Sequence, residues 1–199
     1  MKLKKWELAL IMALCVTALL GIGALREQQQ LADRLIRLHV VANSDSQEDQ
    51  EIKLAVRDSV QQAIEPWLHG MVNRAEAVAI IGQNIDEIKG VVEDTLLTLG
   101  IDHSIRITVD EEHFPVRIYD TFALPAGRYQ ALRVDIGEST GENWWCVVFP
   151  PLCGDGDFYS TAKEAGLSDS EIALITDGDG VVFKFKVVEI FEKLRNWFR

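Results

Sequence analysis

Residues 35–50, Leu35-Ile36-Arg37-Leu38-His39-Val40-Val41-Ala42-Asn43-Ser44-Asp45-Ser46-Gln47-Glu48-Asp49-Gln50, decide the fold class. Residues 35–41 are rich in Leu, Ile and Val and read as a strand. Asn43, Ser44, Asp45 and Ser46 stop that strand and open a helix, because short polar side chains cap free backbone N–H groups. Asp45 with Glu48 three residues on resembles a capping box. Ile52, Val56, Val60, Ile64 and Trp67 then recur at helical spacing. The chain therefore begins its globular part as strand, polar corner, helix.

Downstream, Ile81, Ile85, Ile88, Val92, Leu96 and Leu99 form one apolar stripe, which predicts a second long helix over residues 74–99 with Gly100 as its stop. The period then changes to two. Residues 105–109, 116–118, 129–136 and 143–149 read as short strands, with turns at Leu124-Pro125-Ala126-Gly127 and at residues 137–141. This order predicts an α+β fold: two long helices packed on one face of a mostly antiparallel sheet. Residues 154–180, with their Asp-Gly runs, read as a loop-rich insert around a short helix at 168–174. Residues 181–188 alternate as a strand, and 189–198 form a short amphipathic C-terminal helix. The Asp-Gly runs lack the spacing of a calcium loop and are better explained as turns.

Upstream, Lys2, Lys4 and Lys5 precede 18 uncharged residues, 8–25. A basic flank before an apolar run is the layout of a signal peptide or signal anchor. As a helix the run is about 27 Å long, close to a bilayer core. The length favours an uncleaved anchor, with Gly21-Ile22-Gly23 as the alternative cleavage site. The domain division is then 1–25 signal or anchor, 26–34 linker, 35–153 exported domain, 154–180 insert, and 181–199 C-terminal strand and helix. The lysines stay inside, which places residues 26–199 outside the cytoplasm. Whole-chain net charge is −11; removing Lys2, Lys4, Lys5 and Glu7 leaves −13 for the exported part. So acidic a surface excludes nucleic acid, whose phosphates need clustered Lys and Arg.

Candidate chemistry is sparse. Cys146 and Cys153 lie six residues apart around Pro150-Pro151. Three states are open to them: a disulfide, which the exported setting favours, buried free thiols, or a nucleophile. No metal-ligand spacing includes them. His39, Ser44 and Asp45 at one strand–helix junction invite a hydrolase reading, but no G-x-S-x-G elbow is present, and a strand histidine beside helix caps is favoured. His103 and His113 match no H-E-x-x-H pattern. Trp144 and Trp145, neighbours on a strand, must point to opposite faces. One enters the core; the other either binds a partner or is covered by the C-terminal helix.

Three runs taken together resemble the stage II sporulation protein R family of endospore-forming Firmicutes. They are residues 37–46 with Glu48-Asp49-Gln50, Lys53 and Val56-Arg57-Asp58; residues 124–134 with Ile136-Gly137; and residues 143–153, Asn143 to Cys153. The tail 183–189 is similar but less specific. The resemblance implies a signalling protein rather than an enzyme. Such a protein is made in the forespore and exported into the space between forespore and mother-cell membranes. There it activates a membrane-embedded aspartic protease that processes pro-sigma-E. It implies no cofactor and no metal, and it supplies no catalytic residues. The expected partner-contact residues are His39, Asn43, Asp45, Arg57, Arg128, Trp144 and Trp145. The rival is a small exported hydrolase or peptidase using His39, Asp45 and Ser44, or Cys146.

Overall fold

In a computed structural model, residues 4–153 and 157–176 are described, apart from the side chains of 14, 15, 17–22, 24 and 25. Strand β1 (Ile36–Val41) is buried at every position. A strand buried on both faces must lie inside a sheet that is covered on both sides. Its neighbours confirm this. β1 runs parallel to β5 (Gly127–Ile136), with Ile36 beside Gln130 and Val41 beside Asp135. It runs antiparallel to β6 (Asn143–Phe149), with Leu38 beside Cys146. β2 (Ile105–Phe114) runs antiparallel to β5, giving the order β2-β5-β1-β6 among the described residues. Most pairings are antiparallel, as expected, but the central pair is parallel. A parallel pair needs a long crossover, and helices α2 to α4 followed by β2 supply it.

One face of β1, with Ile36, Leu38 and Val40, packs against α2 (Gln47–Leu68) through Ile52, Val56, Val60 and Ile64. The predicted second long helix is two helices, α3 (Arg74–Gln83) and α4 (Ile85–Thr98). Asn84 makes the break: its backbone leaves the helical region and its side-chain amide donates to the Ile80 carbonyl at 2.8 Å. Asparagine competes in this way for helix backbone groups. Ile81, Ile88, Val92 and Leu96 stay in one core across the break.

The other face of the sheet is also covered, so helices do not lie on one face alone. The end of α1 (Lys5–Ala32), α5 (Phe158–Glu164) and α6 (Asp169–Thr176) bring Leu31, Phe158, Ala162, Ile172 and Ile175 to Phe114, Tyr129 and Val147. A small hairpin, β3 (Arg117–Ile118) with β4 (Ala123–Leu124), joins this layer. Two corrections follow. Residues 26–32 are helix with Leu31 and Ala32 buried, not a linker. Within the region read as a loop-rich insert, the short helix expected at 168–174 is present as α6, and a second packed helix, α5, precedes it. The 8–25 stretch lies within α1; among the described residues no helix is long and apolar enough to cross a membrane. The strand and helix expected over 181–199 lie outside the described residues.

Candidate functional site

The polar corner between β1 and α2 is built on Asp49. Ser46, not Asp45, caps α2: its hydroxyl accepts from the Asp49 N–H at 3.2 Å. The buried Asp49 carboxylate accepts from the Ser44 hydroxyl at 2.5 Å and the Asn43 amide at 3.0 Å, and approaches His103 Nε2 at 3.3 Å. These bonds, Ser44 foremost, hold its carboxyl below the usual range although burial opposes the charge. Asp45 turns outward to accept the Glu142 N–H at 2.7 Å, and Asn43 accepts the Glu138 N–H at 3.0 Å. The loop after β5 is thereby clamped on the corner. At Gly137 (φ +57°) and Gly141 it passes so close that a Cβ would lie 2.2 Å from Asn43 and from the Ser44 carbonyl oxygen respectively.

His39 lies on the opposite face of β1 from Leu38. Its Nδ1 is 2.7 Å from Glu112 and its Nε2 2.7 Å from Asn143 Oδ1; Trp145 stacks on the ring at 5.6 Å between centroids. Burial works against the Glu112 charge, but His39 and Arg133 outweigh it and hold that carboxyl low. His39 meets neither Ser44 nor Asp45, and Ser44 donates to Asp49. The hydrolase constellation is therefore not assembled.

A cleft of about 960 Å³ opens beside the sheet edge, between α2, β6, residues 118–122 and the turn after β6. It gathers Arg57, Trp144, Trp145, Cys146 and Cys153. Trp144, 37 % exposed, carries the Arg57 guanidinium 4.5 Å above its ring; Arg57 also pairs with Asp58 at 2.6 Å. Trp145 is half-buried between His39 and Arg117, whose Cζ stands 3.4 Å from the ring centroid. The two tryptophans thus face opposite ways, as strand neighbours must. Arg128 is elsewhere, paired with Glu111 across β2 and β5 at 3.1 Å.

Among the described residues β6 is an edge strand, yet two of its backbone groups are occupied. The Tyr119 hydroxyl donates to the Trp145 carbonyl at 3.2 Å, and the Val147 N–H donates to Cys153 Sγ at 3.1 Å. An edge blunted in this way resists strand addition, so the cleft offers a partner side chains rather than backbone. Burial pushes the Tyr119 hydroxyl up to about 12 despite the Arg37 guanidinium that donates to it at 2.6 Å. Cys146 and Cys153 are free thiols. Among the described residues no group of three His, Cys, Asp or Glu could hold a metal ion.

Sequence reasoning missed Arg37, Tyr119, Glu112 and Arg117. Only Arg37 had a local signal: a charge inside an otherwise apolar strand.

The geometry can be set beside known proteins. The family model described as "Stage II sporulation protein R" matches residues 32–157, more than half the chain. Stage II sporulation protein R of Bacillus subtilis (strain 168) is 39 % identical over 123 residues, which are 62 % of this chain and 55 % of that relative. The match thus spans little more than half the relative's length. No solved structure matches the chain.

Proposed function

Because the chain belongs to the stage II sporulation protein R family, we propose that it is an exported sporulation signal. In this reading it is led across the forespore membrane by its N-terminal segment, whether anchored or cleaved. It then activates by contact the membrane-embedded aspartic protease that processes pro-sigma-E. Activation by contact requires that the protein bind the active arrangement of the protease better than the inactive one.

The observation that carries this reading is the rim of the cleft. Trp144 is a large apolar side chain left 37 % exposed, with Arg57 stacked on it, inside the region that matches the family model. Tryptophan and arginine are the residue types that most often dominate protein–protein affinity. Of the other expected contacts, Asn43 and Asp45 shape the corner, His39 supports Trp145 from beneath, and Arg128 lies outside the cleft.

The test is reconstitution in a non-sporulating host that expresses pro-sigma-E and its protease, with the full chain exported by its own N-terminus. Pro-sequence removal is expected to depend on the chain. Trp144→Ala should weaken activation about tenfold, the loss of about 1.4 kcal/mol of contact energy, with an unchanged melting temperature. Cleavage unaffected by Trp144→Ala and by Arg57→Ala would sink the cleft as the contact surface. Cleavage abolished in a folded Cys146→Ser chain that still binds the protease would favour the enzymatic rival.

A further inference from the structure

Cys146 on β6 and Cys153 in the turn that follows it are neighbours: the Val147 N–H donates to Cys153 Sγ at 3.1 Å, and the Cys146 thiol donates to the Val147 carbonyl at 3.7 Å. They are not equivalent. Cys146 is 2 % exposed and its Sγ accepts from Gln61 Nε2 at 3.4 Å. Cys153 is half-buried at the cleft, and its Sγ accepts the Val147 backbone N–H at 3.1 Å.

The charge around them is unbalanced. Arg37 is wholly buried, held between the rings of Phe114 and Tyr129, with its Cζ 4.1 Å and 5.1 Å from their centroids. Its Nη2 donates to Tyr119, but among the described residues Nε and Nη1 have no acceptor and no carboxylate pairs with it. A buried cation without a counterion is costly and favours negative charge nearby. Tyr119 does not supply it near neutral pH, since its hydroxyl is pushed up to about 12. Cys153 is the neighbouring group able to do so. Its thiol is lowered first by the Cys146 S–H hydrogen bond, then, against burial, by the Val147 N–H and the Arg37 and Arg57 guanidiniums. The bond to Cys153 and burial push Cys146 up. Reactive cysteines occupy such electropositive, partly open surroundings, whereas buried structural cysteines do not.

We propose that Cys153 and Cys146 form a thiol–disulfide exchange site that opens on the cleft, with Cys153 as attacking thiolate and Cys146 as resolving thiol. Its substrate is a small-molecule or protein disulfide. The Cys153 thiolate attacks one sulfur of that disulfide, forming a mixed disulfide and expelling the other sulfur as a thiolate. Cys146 then gives its proton to solvent, attacks Cys153 Sγ and expels the second thiolate. The substrate disulfide is reduced to two thiols, and the protein pair is oxidised to one disulfide. This inference does not rest on the signalling reading, and its test reads sulfur chemistry rather than pro-sequence removal.

The probe is oxidised glutathione, offered across a pH series to the reduced full chain carrying Cys15→Ser. The parent is expected to lose the two thiol hydrogens in mass without retaining glutathione. Cys146→Ser should accumulate one glutathione on Cys153, and Cys153→Ser none. Arg57→Gln and Arg37→Met should slow adduct formation and move its pH profile upward. Alkylation of the unsubstituted pair, mapped by mass, needs no folding of a variant and should label Cys153 at least about tenfold faster than Cys146. Equal labelling of both, or an adduct on Cys146 alone, would overturn the assignment. A bond already present on purification that resists dithiothreitol under native conditions would also overturn it, in favour of a structural disulfide.

Discussion

Replacing Gly141 with alanine is expected to unfold the globular domain. A Cβ at this position would lie 2.2 Å from the Ser44 carbonyl oxygen and 2.5 Å from its carbon. Both are backbone atoms and cannot swing aside as a side chain can. The surrounding bonds prevent relief by a loop shift. Gly141 N–H donates to Ala42 at 3.0 Å, Thr140 bonds Asn43 through both its N–H and its hydroxyl, and Glu142 N–H is held by Asp45. The cost is on the order of 4 kcal/mol, the upper range for a single substitution and a large share of a domain's stability. Circular dichroism during heating should show the cooperative transition lost or displaced far downward. Gly90→Ala is the control. It lies inside α4 with nothing within 4 Å of the added carbon, and should stabilise by about 0.5–1 kcal/mol. A Gly141→Ala chain melting with the parent would show that the loop does not need its close approach.

The second large effect is at Asp49. Asp49→Ala leaves the Asn43 amide and the Ser44 hydroxyl without their acceptor in a part-buried corner, at a cost of about 2–3 kcal/mol. Chemical denaturation should show the loss at neutral pH. The acid limb provides a separate signature. A carboxyl held below its ordinary value contributes stability that is present above the ordinary range, about 3.9 for aspartate. That stability is lost as pH falls through the native value. The parent should therefore destabilise steeply on acidification below about pH 4. Asp49→Asn, close in shape but without a charge to lose, should show a shallower limb, with Glu112 supplying the residual slope. Parallel acid limbs in parent and variant would refute the role given to Asp49.

The strand–corner–helix opening was legible because its signals are local: an apolar run, a cluster of capping side chains, and a stripe at helical spacing. β5 and β6 were legible through alternation. The parallel pairing of β1 with β5 was not, because nothing near residue 36 records that its neighbour is residue 130. The break at Asn84 was hidden because Ile81 and Ile88 keep their apolar phase across it. The second covering layer was only partly legible: the short helix read at 168–174 corresponds to α6, but Gly-rich surroundings made α5 read as loop.

The site divides in the same way. Trp144 and Trp145 were legible from strand geometry alone. The contacts of His39 come from two other strands, through Glu112 and Asn143. The pairing of Arg37 with Tyr119 joins residues far apart in the chain. Such tertiary contacts leave no mark in a local window. That is why His39, Ser44 and Asp45 looked like one constellation in the sequence and are three separate fixtures in the fold.

The central strand is the first to be synthesised. β1 is made near the start of the globular part, but its neighbours are residues 130–135 and 143–149. Until those emerge, Ile36, Leu38 and Val40 have no strand beside them, and the sheet cannot begin to close. Pairing over such separations is slow, because loop closure is lost before contacts repay it. The ribosome thus releases almost the whole matched region before a native sheet can exist in the cytoplasm. Under the proposed export, a late-closing sheet would leave the chain free to thread a membrane before it folds. The same delay leaves an apolar strand uncovered throughout synthesis, so variants that linger there should appear as aggregates.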